Sequence, residues 1–298
     1  MESVLVVGAG TMGHGISQVC AQAGYQVCLT DVKEDALNKA LNDITWSLKK
    51  FHGKGLLKES PETILERIRL ERGLESAKKA KWVIEAAPEI EKLKRELFQT
   101  LDNLAPVGTI LASNTSVIPI SRIAQATKHP DRVIGLHFFT PVAMTAIVEV
   151  IKGKETSNEV FEQAIDFVDS LGKWPLRVQK DIPGFLMNRI QASNIREVVN
   201  LLAEGMATPE DLDKGVKLAY GWAVGPCEAM DYAGLDTFAH VRQSLKELGE
   251  EELTSRFDVI ERLVKQGRLG RKVGRGFYRY TEDGKRLPWS IEDEIPSS

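Results

Sequence analysis

The fold is decided by the stretch VLVVGAGTMGHGIS at residues 4–17. Its first four residues are the kind of short apolar run that forms a strand buried on both faces. A helical pattern follows the glycines and stops at Gly24, and the next apolar run, YQVCLTD, ends in Asp31. A strand, a glycine-rich turn, a helix and a strand that ends in an acid together predict a βαβ unit.

The glycine-rich turn has the Gly-x-Gly-x-x-Gly spacing of a dinucleotide-binding loop. The first glycine allows the tight turn, the second lets a pyrophosphate approach the backbone, and the third lets the helix pack on the strand. Asp31 lies eighteen residues after the third glycine. A carboxylate at that position accepts hydrogen bonds from ribose hydroxyls and favours NAD over NADP. The predicted NAD contacts are Gly8, Ala9, Gly10, Thr11, Met12, Gly13 and Asp31.

Short apolar runs and amphipathic patterns continue to alternate as far as residue 178. Further strands are predicted at 82–86, 109–112, 133–139, 147–151 and 175–178. Helices are predicted at 33–51, from the Ser60-Pro61 cap onward, at 91–104 and at 158–171. This alternation predicts a mainly parallel sheet that is covered by helices.

The pattern changes after the break Asp181-Ile182-Pro183-Gly184. From there nearly every segment has helical spacing, at 186–204, 209–220, 235–248 and 257–266, and the polar tail at 281–298 is expected to be loose. We therefore predict an α/β protein with two domains. Residues 1–181 form the sheet domain that binds NAD, and residues 182–298 form an all-helical C-terminal domain.

Composition and charge exclude several classes of protein. The 298 residues are 43% hydrophobic and 27% charged, which is typical of a globular chain. The net charge of −3 gives no overall attraction to nucleic acid or to an anionic membrane. No apolar run reaches the roughly 18 residues that span a bilayer. We expect a cytoplasmic protein without nucleic-acid or membrane partners, and no signal peptide ahead of the strand that begins at Val4.

The three cysteines, Cys20, Cys28 and Cys227, have neither a zinc-binding spacing nor that of a disulfide framework. We interpret them as small buried apolar residues in a reducing compartment. No metal site is predicted.

Further motifs follow one another in order along the chain. They are EAAPE at 85–89 with Lys94, LASNTS at 111–116, GLHFFTP at 135–141, VEVI at 148–151, KDIPGF at 180–185 with Asn188-Arg189, GPCE at 225–228, GLD at 234–236 and GRKVGRGFY at 270–278. Together they resemble the L-3-hydroxyacyl-CoA dehydrogenases, from about residue 4 to about residue 280.

The resemblance implies a Rossmann-type domain followed by a helical domain that forms a homodimer. It also implies NAD-dependent, reversible oxidation of a (3S)-3-hydroxyacyl-CoA thioester, with a short acyl chain, in fatty-acid or butanoate metabolism.

The same resemblance assigns catalytic roles. His137 and Glu149 match the family's catalytic pair, and Ser113 and Asn188 match residues that donate hydrogen bonds to the substrate oxygen. The chemistry agrees, because oxidising an alcohol needs a base near neutral pH, which imidazole provides. A carboxylate on the second ring nitrogen would fix the tautomer and stabilise the imidazolium.

Other matching positions are ligand contacts by resemblance. Those that touch the cofactor are Glu89, Lys94, Ser113, Thr140 and Lys272, and those that touch CoA are Ser47, Lys54 and Ser113. Lys54 lies in a charge-rich turn, so a solvated surface lysine is the alternative interpretation there. The chain departs from the family at two positions, since Thr140 replaces the usual Asn and Ala143 replaces the usual Pro.

Two other functions stay open at this point. One is a dehydrogenase of the same fold that acts on a hydroxy acid without CoA, such as a sugar acid or carnitine. The presence of Ser47 and Lys54 argues against it. The other is a dinucleotide-binding protein without catalysis, and the complete set of four catalytic residues argues against that.

Overall fold

The computed structural model describes residues 3–250, 258–290 and 293. The chain divides into two compact units between Phe185 and Leu186. The first unit contains every strand named below, and the second contains helices α7 to α11. No described helix is long and apolar enough to cross a membrane.

Eight strands build the first unit. They are β1 (Ser3–Val7), β2 (Gln26–Thr30), β3 (Ile68–Glu71), β4 (Trp82–Glu85), β5 (Ile110–Ser113), β6 (Val133–Phe138), β7 (Ile147–Ile151) and β8 (Trp174–Val178). They form one sheet in the order β3-β2-β1-β4-β5-β6-β7-β8, parallel except for the antiparallel β6–β7 pair. The predicted mainly parallel sheet is confirmed. Strand β3 was not predicted, because IRLE is a half-buried edge strand with charges at alternate positions.

Six helices accompany the sheet. They are α1 (Thr11–Gln22), α2 (Glu34–Gly53), α3 (Pro61–Leu65), α4 (Glu91–Leu104), α5 (Ile120–Ala124) and α6 (Asn158–Ser170). As predicted, Ser60 caps α3, with its hydroxyl accepting from the Thr63 N–H at 3.2 Å. The apolar stripe of α2, at Leu37, Ala40, Ile44 and Leu48, packs into the same core as the strands.

The second unit is mainly helical in its described residues, and isolated bridges pair short segments between residues 270 and 286. Its helices are α7 (Met187–Ala203), α8 (Pro209–Tyr220), α9 (Pro226–Ala233), α10 (Leu235–Glu247) and α11 (Asp258–Lys265). The predicted helix start at residue 257 lies outside the described residues. Helix α9 was not predicted, because it is only eight residues long and is enclosed by Gly225 and Gly234. Buried Asp213 caps it by accepting from two of its first N–H groups.

The expectation of a loose tail is wrong where the tail is described. The Leu287 N–H donates to the Arg279 carbonyl at 2.9 Å, and Asp293 is fully buried. Polar composition misled the prediction, because these residues are held mainly by hydrogen bonds, with Trp289 packed against the core of the second unit. The remainder of the 281–298 segment lies outside the described residues.

Candidate functional site

The loop between β1 and α1 has the shape that a dinucleotide requires. Gly8 has a φ of 105°, and a Cβ there would lie 2.7 Å from the Ala86 carbonyl oxygen. A Cβ at Gly13 would lie 1.7 Å from the Gly8 oxygen, so the helix could not pack on the strand. At Gly10, by contrast, a Cβ would meet nothing within 4 Å. The open space lies beside the N-terminus of α1, where backbone N–H groups bind phosphates.

Asp31 is tied to this loop at the end of β2. Its Oδ2 accepts from the Ala9 N–H at 2.8 Å, and its Oδ1 accepts from the Lys33 N–H at 2.9 Å. A carboxylate has about four lone-pair positions, so both oxygens can still accept from ribose hydroxyls. The cofactor role of Asp31 stays a prediction, and its fixed position beside the loop supports it.

The antiparallel hairpin of β6 and β7 brings His137 and Glu149 together. The two residues are direct cross-strand partners, and neighbouring side chains of this kind meet on one face of a sheet. The imidazole Nδ1 lies 2.7 Å from Glu149 Oε2, and the side chains are 6% and 0% exposed. An Nδ1–H donated to the carboxylate leaves Nε2 as a free acceptor. This arrangement suits a general base whose tautomer is fixed.

Ser113 lies at the end of β5 in a second buried group, here called the Glu85 cluster, which comprises Glu85, Glu89, Lys94 and Ser113. The Ser113 hydroxyl donates to Glu85 Oε2 at 2.6 Å and accepts from the Thr115 N–H at 3.2 Å. The Lys94 ammonium donates to Glu85 Oε1 at 2.6 Å. Sequence reasoning missed Glu85, although an acid that ends a buried strand was the available signal.

The hydrogen bonds within the Glu85 cluster bear on the predicted ligand contacts of Ser113 and Lys94. The single hydroxyl proton of Ser113 points to Glu85, so it is not free to donate to a substrate oxygen. The Lys94 ammonium is 1% exposed and has three protein oxygens within 3.3 Å, from Glu85, Ala87 and Glu89. Both side chains are therefore satisfied within the protein, and their direct contacts with cofactor or substrate stay predictions.

Glu89 connects the cluster to the turn after β5. Its carboxylate accepts from the Ser116 and Val117 N–H groups at 2.9 and 3.1 Å, and from the Thr115 hydroxyl. Its side chain is about one-third exposed. Glu89 is thus the member of the cluster that a cofactor can reach most directly.

A cavity of about 720 Å³ lies between α1, α2 and the loop after β6. The predicted CoA residues Ser47 and Lys54 share its wall with Trp46 and Lys50, two residues that sequence reasoning missed. The Lys50 ammonium lies 3.9 Å from the centre of the Trp46 ring. Lys50 could have been found from the sequence, because positions 43, 47, 50 and 54 are spaced three and four apart and therefore lie along one helix face.

Thr140 also lines this cavity, directly after β6. Its hydroxyl donates to Met12 Sδ at 3.1 Å, so it connects the end of β6 to the glycine-rich loop. The predicted contact of Thr140 with the cofactor is not tested, but its neighbour Met12 belongs to the predicted cofactor loop.

Asn188 and Lys272 belong to the second unit. Asn188 lies in the first turn of α7, and the Lys272 ammonium donates to both carboxylate oxygens of Asp236 at 2.6 Å. Their predicted roles stay predictions. Within residues 3–250, 258–290 and 293, no group of three or more His, Cys, Asp or Glu is placed to hold a metal ion.

The fold and site define a class: an NAD-dependent dehydrogenase with a dinucleotide loop and a buried His–Glu pair on one sheet. The chain belongs to the 3-hydroxyacyl-CoA dehydrogenase family. Residues 3–182 match the family's NAD-binding domain, and residues 184–280 match its C-terminal domain. The family, the fold class and the NAD cofactor predicted from the sequence are confirmed.

Individual relatives agree with this assignment. The 3-hydroxybutyryl-CoA dehydrogenase of Clostridioides difficile is 38% identical over 93% of this chain and 99% of its own length. The mitochondrial hydroxyacyl-coenzyme A dehydrogenase of Rattus norvegicus is 42% identical over 94% of this chain and 91% of its own. The crystal structure of (S)-3-hydroxybutyryl-CoA dehydrogenase from Ralstonia eutropha matches with a TM-score of 0.88 and 37% identity, covering 95% of this chain and 100% of that chain.

Proposed function

We propose that this protein interconverts a short-chain (3S)-3-hydroxyacyl-CoA and the corresponding 3-oxoacyl-CoA with NAD. One observation carries the proposal: the buried His137–Glu149 pair, joined at 2.7 Å, lies on the sheet that also bears the dinucleotide loop. Relatives that are named 3-hydroxybutyryl-CoA dehydrogenase support the short acyl chain.

His137 is the proposed base. Its Nε2 lone pair takes the proton of the substrate 3-hydroxyl, and the C–O bond becomes a carbonyl as C3 loses its hydrogen as hydride. Bound NAD⁺, held by the Gly8–Gly13 loop and Asp31, supplies the acceptor for that hydride. The carboxylate of Glu149 stabilises the imidazolium formed at His137. In the reverse direction the imidazolium returns the proton to the substrate oxygen.

Two aromatic rings hold the imidazole in place. The ring centres of Phe139 and Phe185 lie 4.5 and 6.0 Å from that of His137. They exclude water from a pair that is already buried, and a low local dielectric strengthens the attraction between imidazolium and carboxylate. This favours proton transfer to His137 over transfer to bulk water.

The cavity is the proposed CoA site. Lys50 and Lys54 place two cations on the cavity wall, where they can pair with the phosphates of CoA, and Ser47 adds a hydroxyl. The loop after β6 forms another part of the wall and begins beside His137. The nucleotide end therefore lies along α2, and the acyl end lies toward His137.

We further propose a cytoplasmic homodimer that acts in fatty-acid or butanoate metabolism, with NAD bound by residues 1–181 and the dimer formed by residues 182–298. Exposed apolar side chains of the second unit support the dimer, because such groups mark interfaces. They include Ile190, Met206, Leu218 and Tyr220, each at least half exposed.

The proposal is tested by following NADH consumption with acetoacetyl-CoA and, in parallel, with free acetoacetate. We expect kcat/KM for the CoA ester to exceed that for the free acid by at least about a hundredfold, because only the ester can use the cavity. Equal rates would favour a hydroxy acid without CoA, and no turnover with either would leave only a dinucleotide-binding protein.

Lys54→Ala tests the CoA site itself. It should raise KM for acetoacetyl-CoA and leave kcat nearly unchanged, since a cation on a remote phosphate binds ground state and transition state alike. Lys49→Ala is the matched control, because Lys49 lies in α2 five residues before Lys54, is exposed and does not line the cavity. Equal behaviour of the two variants at low salt would identify Lys54 as an ordinary surface lysine.

A further inference from the structure

Lys173, directly before β8, carries a buried charge for which the proposed reaction has no role. The residue is 7% exposed, and its ammonium donates to the Val142 and Thr145 carbonyls at 2.7 and 2.5 Å. No carboxylate of the described residues pairs with it. Its titratable neighbour is the Cys20 thiol, and burial raises the pKa of that thiol to about 12, so Cys20 is neutral.

Burial also lowers the pKa of Lys173, as expected for a cation without a charged partner. Burying such a cation is unfavourable unless its hydrogen bonds compensate. The main structural effect of Lys173 is therefore to hold the two carbonyl groups to which its ammonium donates.

Both carbonyls belong to residues 140–146, the loop that joins β6 to β7 and hence separates His137 from Glu149. This 140–146 loop is held from other directions as well. A Cβ at Gly15 of α1 would lie only 2.8 Å from the Val142 Cβ, and the Trp174 N–H donates to the Ala146 carbonyl at 2.7 Å. The loop is thus a fixed part of the cavity wall.

The direction of the Val142 carbonyl determines the direction of the next N–H. In a planar trans peptide the C=O and N–H point in opposite directions. Because the Val142 carbonyl points to Lys173, the Ala143 N–H points away from Lys173, and Ala143 itself lines the cavity together with Val142 and Met144. Among the backbone hydrogen bonds of the described residues, the Ala143 N–H has no acceptor.

Residue 143 is of a type that permits such a contact. Alanine keeps the backbone N–H that a proline would lack, so a donor is present at this point of the cavity wall.

We propose that the Ala143 N–H is a substrate-binding group, held in position by Lys173, that donates to a carbonyl oxygen of the acyl-pantetheine arm. The proposal rests on the proposed function, which places the acyl end beside His137 and the phosphates beside Lys50 and Lys54. An oxygen acceptor near the 140–146 loop is then a thioester or amide carbonyl, not a phosphate.

Ala143→Pro removes the N–H, because proline has no backbone donor. One hydrogen bond corresponds to a factor of roughly two to ten in binding. We expect KM for acetoacetyl-CoA and its calorimetric Kd to rise by that factor, while kcat and the fluorescence-measured affinity for NADH stay within about twofold. Ala143→Ser is the matched comparison, because it changes the side chain but keeps the N–H, and its KM and Kd should rise less than those of Ala143→Pro.

Lys173→Met tests the positioning role. It should raise the same KM, and combining it with Ala143→Pro should add nothing further, because both changes act through one N–H. Additive effects would mean that Lys173 only stabilises the fold. If Lys173→Met does not fold, Lys173→Arg keeps the charge and two donors and should retain the wild-type KM.

Acetoacetyl-N-acetylcysteamine, which lacks the nucleotide, identifies the acceptor. The effect of Ala143→Pro should persist with this substrate, and its disappearance would reassign the N–H to a phosphate and overturn the proposal. A wild-type Kd for acetoacetyl-CoA in Ala143→Pro would also overturn it. Failure of the proposed function is distinguishable, because it would appear as an inactive wild type, whereas the calorimetric comparison needs no turnover.

Discussion

Two fully buried glutamates lie on strands of the same sheet, and their partners give them different tasks. Glu149 on β7 faces the imidazole of His137, the proposed base of the reaction. Glu85 at the end of β4 faces an ammonium, a hydroxyl and a backbone N–H, all of which donate to it. The residue type and burial are the same in both places, but only the first arrangement can transfer a proton.

The comparison teaches that burial of a carboxylate does not by itself indicate catalysis. A partner with a nitrogen that can accept a proton makes a catalytic pair, whereas partners that only donate hydrogen bonds make a fixed support. In the Glu85 cluster the support holds Ser113 and, through Glu89, the turn after β5. Four predictions test this distinction.

The largest effect is expected at His137. His137→Gln should lower kcat by about 10²–10⁴-fold, because it removes the base but retains an amide that can donate to Glu149. The midpoint of urea unfolding and the affinity for NADH should change little, since the dinucleotide loop lies elsewhere. Steady-state kinetics and denaturation on the same preparation measure both, and a variant with half the wild-type activity would remove His137 from the mechanism.

Glu85→Gln should give the opposite result, a loss of stability. Removing one partner of a buried ion pair destabilises by about 3–5 kcal/mol, because the remaining charge is uncompensated. Lys94 would keep only Glu89 as its carboxylate partner, at 3.3 Å. Urea titration measures the loss, and the double variant Glu85→Gln/Lys94→Met should lose less than the sum of the single variants. An unchanged free energy of unfolding with kcat reduced as in His137→Gln would show that the comparison is wrong.

Most of the fold, but only part of the candidate site, could be predicted from the sequence. Apolar runs and glycine spacing are local signals, so the sheet, the dinucleotide loop and most helices followed from them. The role of Glu149 came from resemblance, because a register that places it opposite His137 depends on the hairpin and not on local pattern. Glu85 was missed for the same reason, since its partners on α4 and β5 lie 9 and 28 residues away.

A third acid, Asp31, directly follows β2 and is less buried than the two glutamates. Asp31 is only partly buried, so its charge is better screened and its effect should be smaller. It should accept from the adenosine ribose and repel a 2′-phosphate. We expect kcat/KM for NADH to exceed that for NADPH by at least about tenfold, roughly 1.4 kcal/mol, and Asp31→Ser to narrow the ratio. Equal efficiencies in the wild type would show that a nearby cation such as Lys33 accommodates the phosphate.

The smallest effect is expected at Thr140, which is exposed and uncharged. Its hydroxyl donates to the Met12 sulfur at 3.1 Å, and a thioether is a weak acceptor. Neither a buried charge nor a proton transfer depends on it, so its contribution should not exceed one ordinary hydrogen bond, about 0.5–1.5 kcal/mol. Thr140→Ala should therefore lower kcat/KM by about tenfold at most.

Thr140→Asn should be tolerated, because the position is open to the cavity and Asn is the family's usual residue there. The kinetics of both variants with NADH and acetoacetyl-CoA provide the test. A thousandfold loss of kcat/KM in Thr140→Ala would equal the loss expected at the buried His137–Glu149 pair. The size of the effects would then not follow burial and charge. An inactive Thr140→Asn would instead show that the 140–146 loop is shaped around the shorter side chain and held in that shape by Lys173.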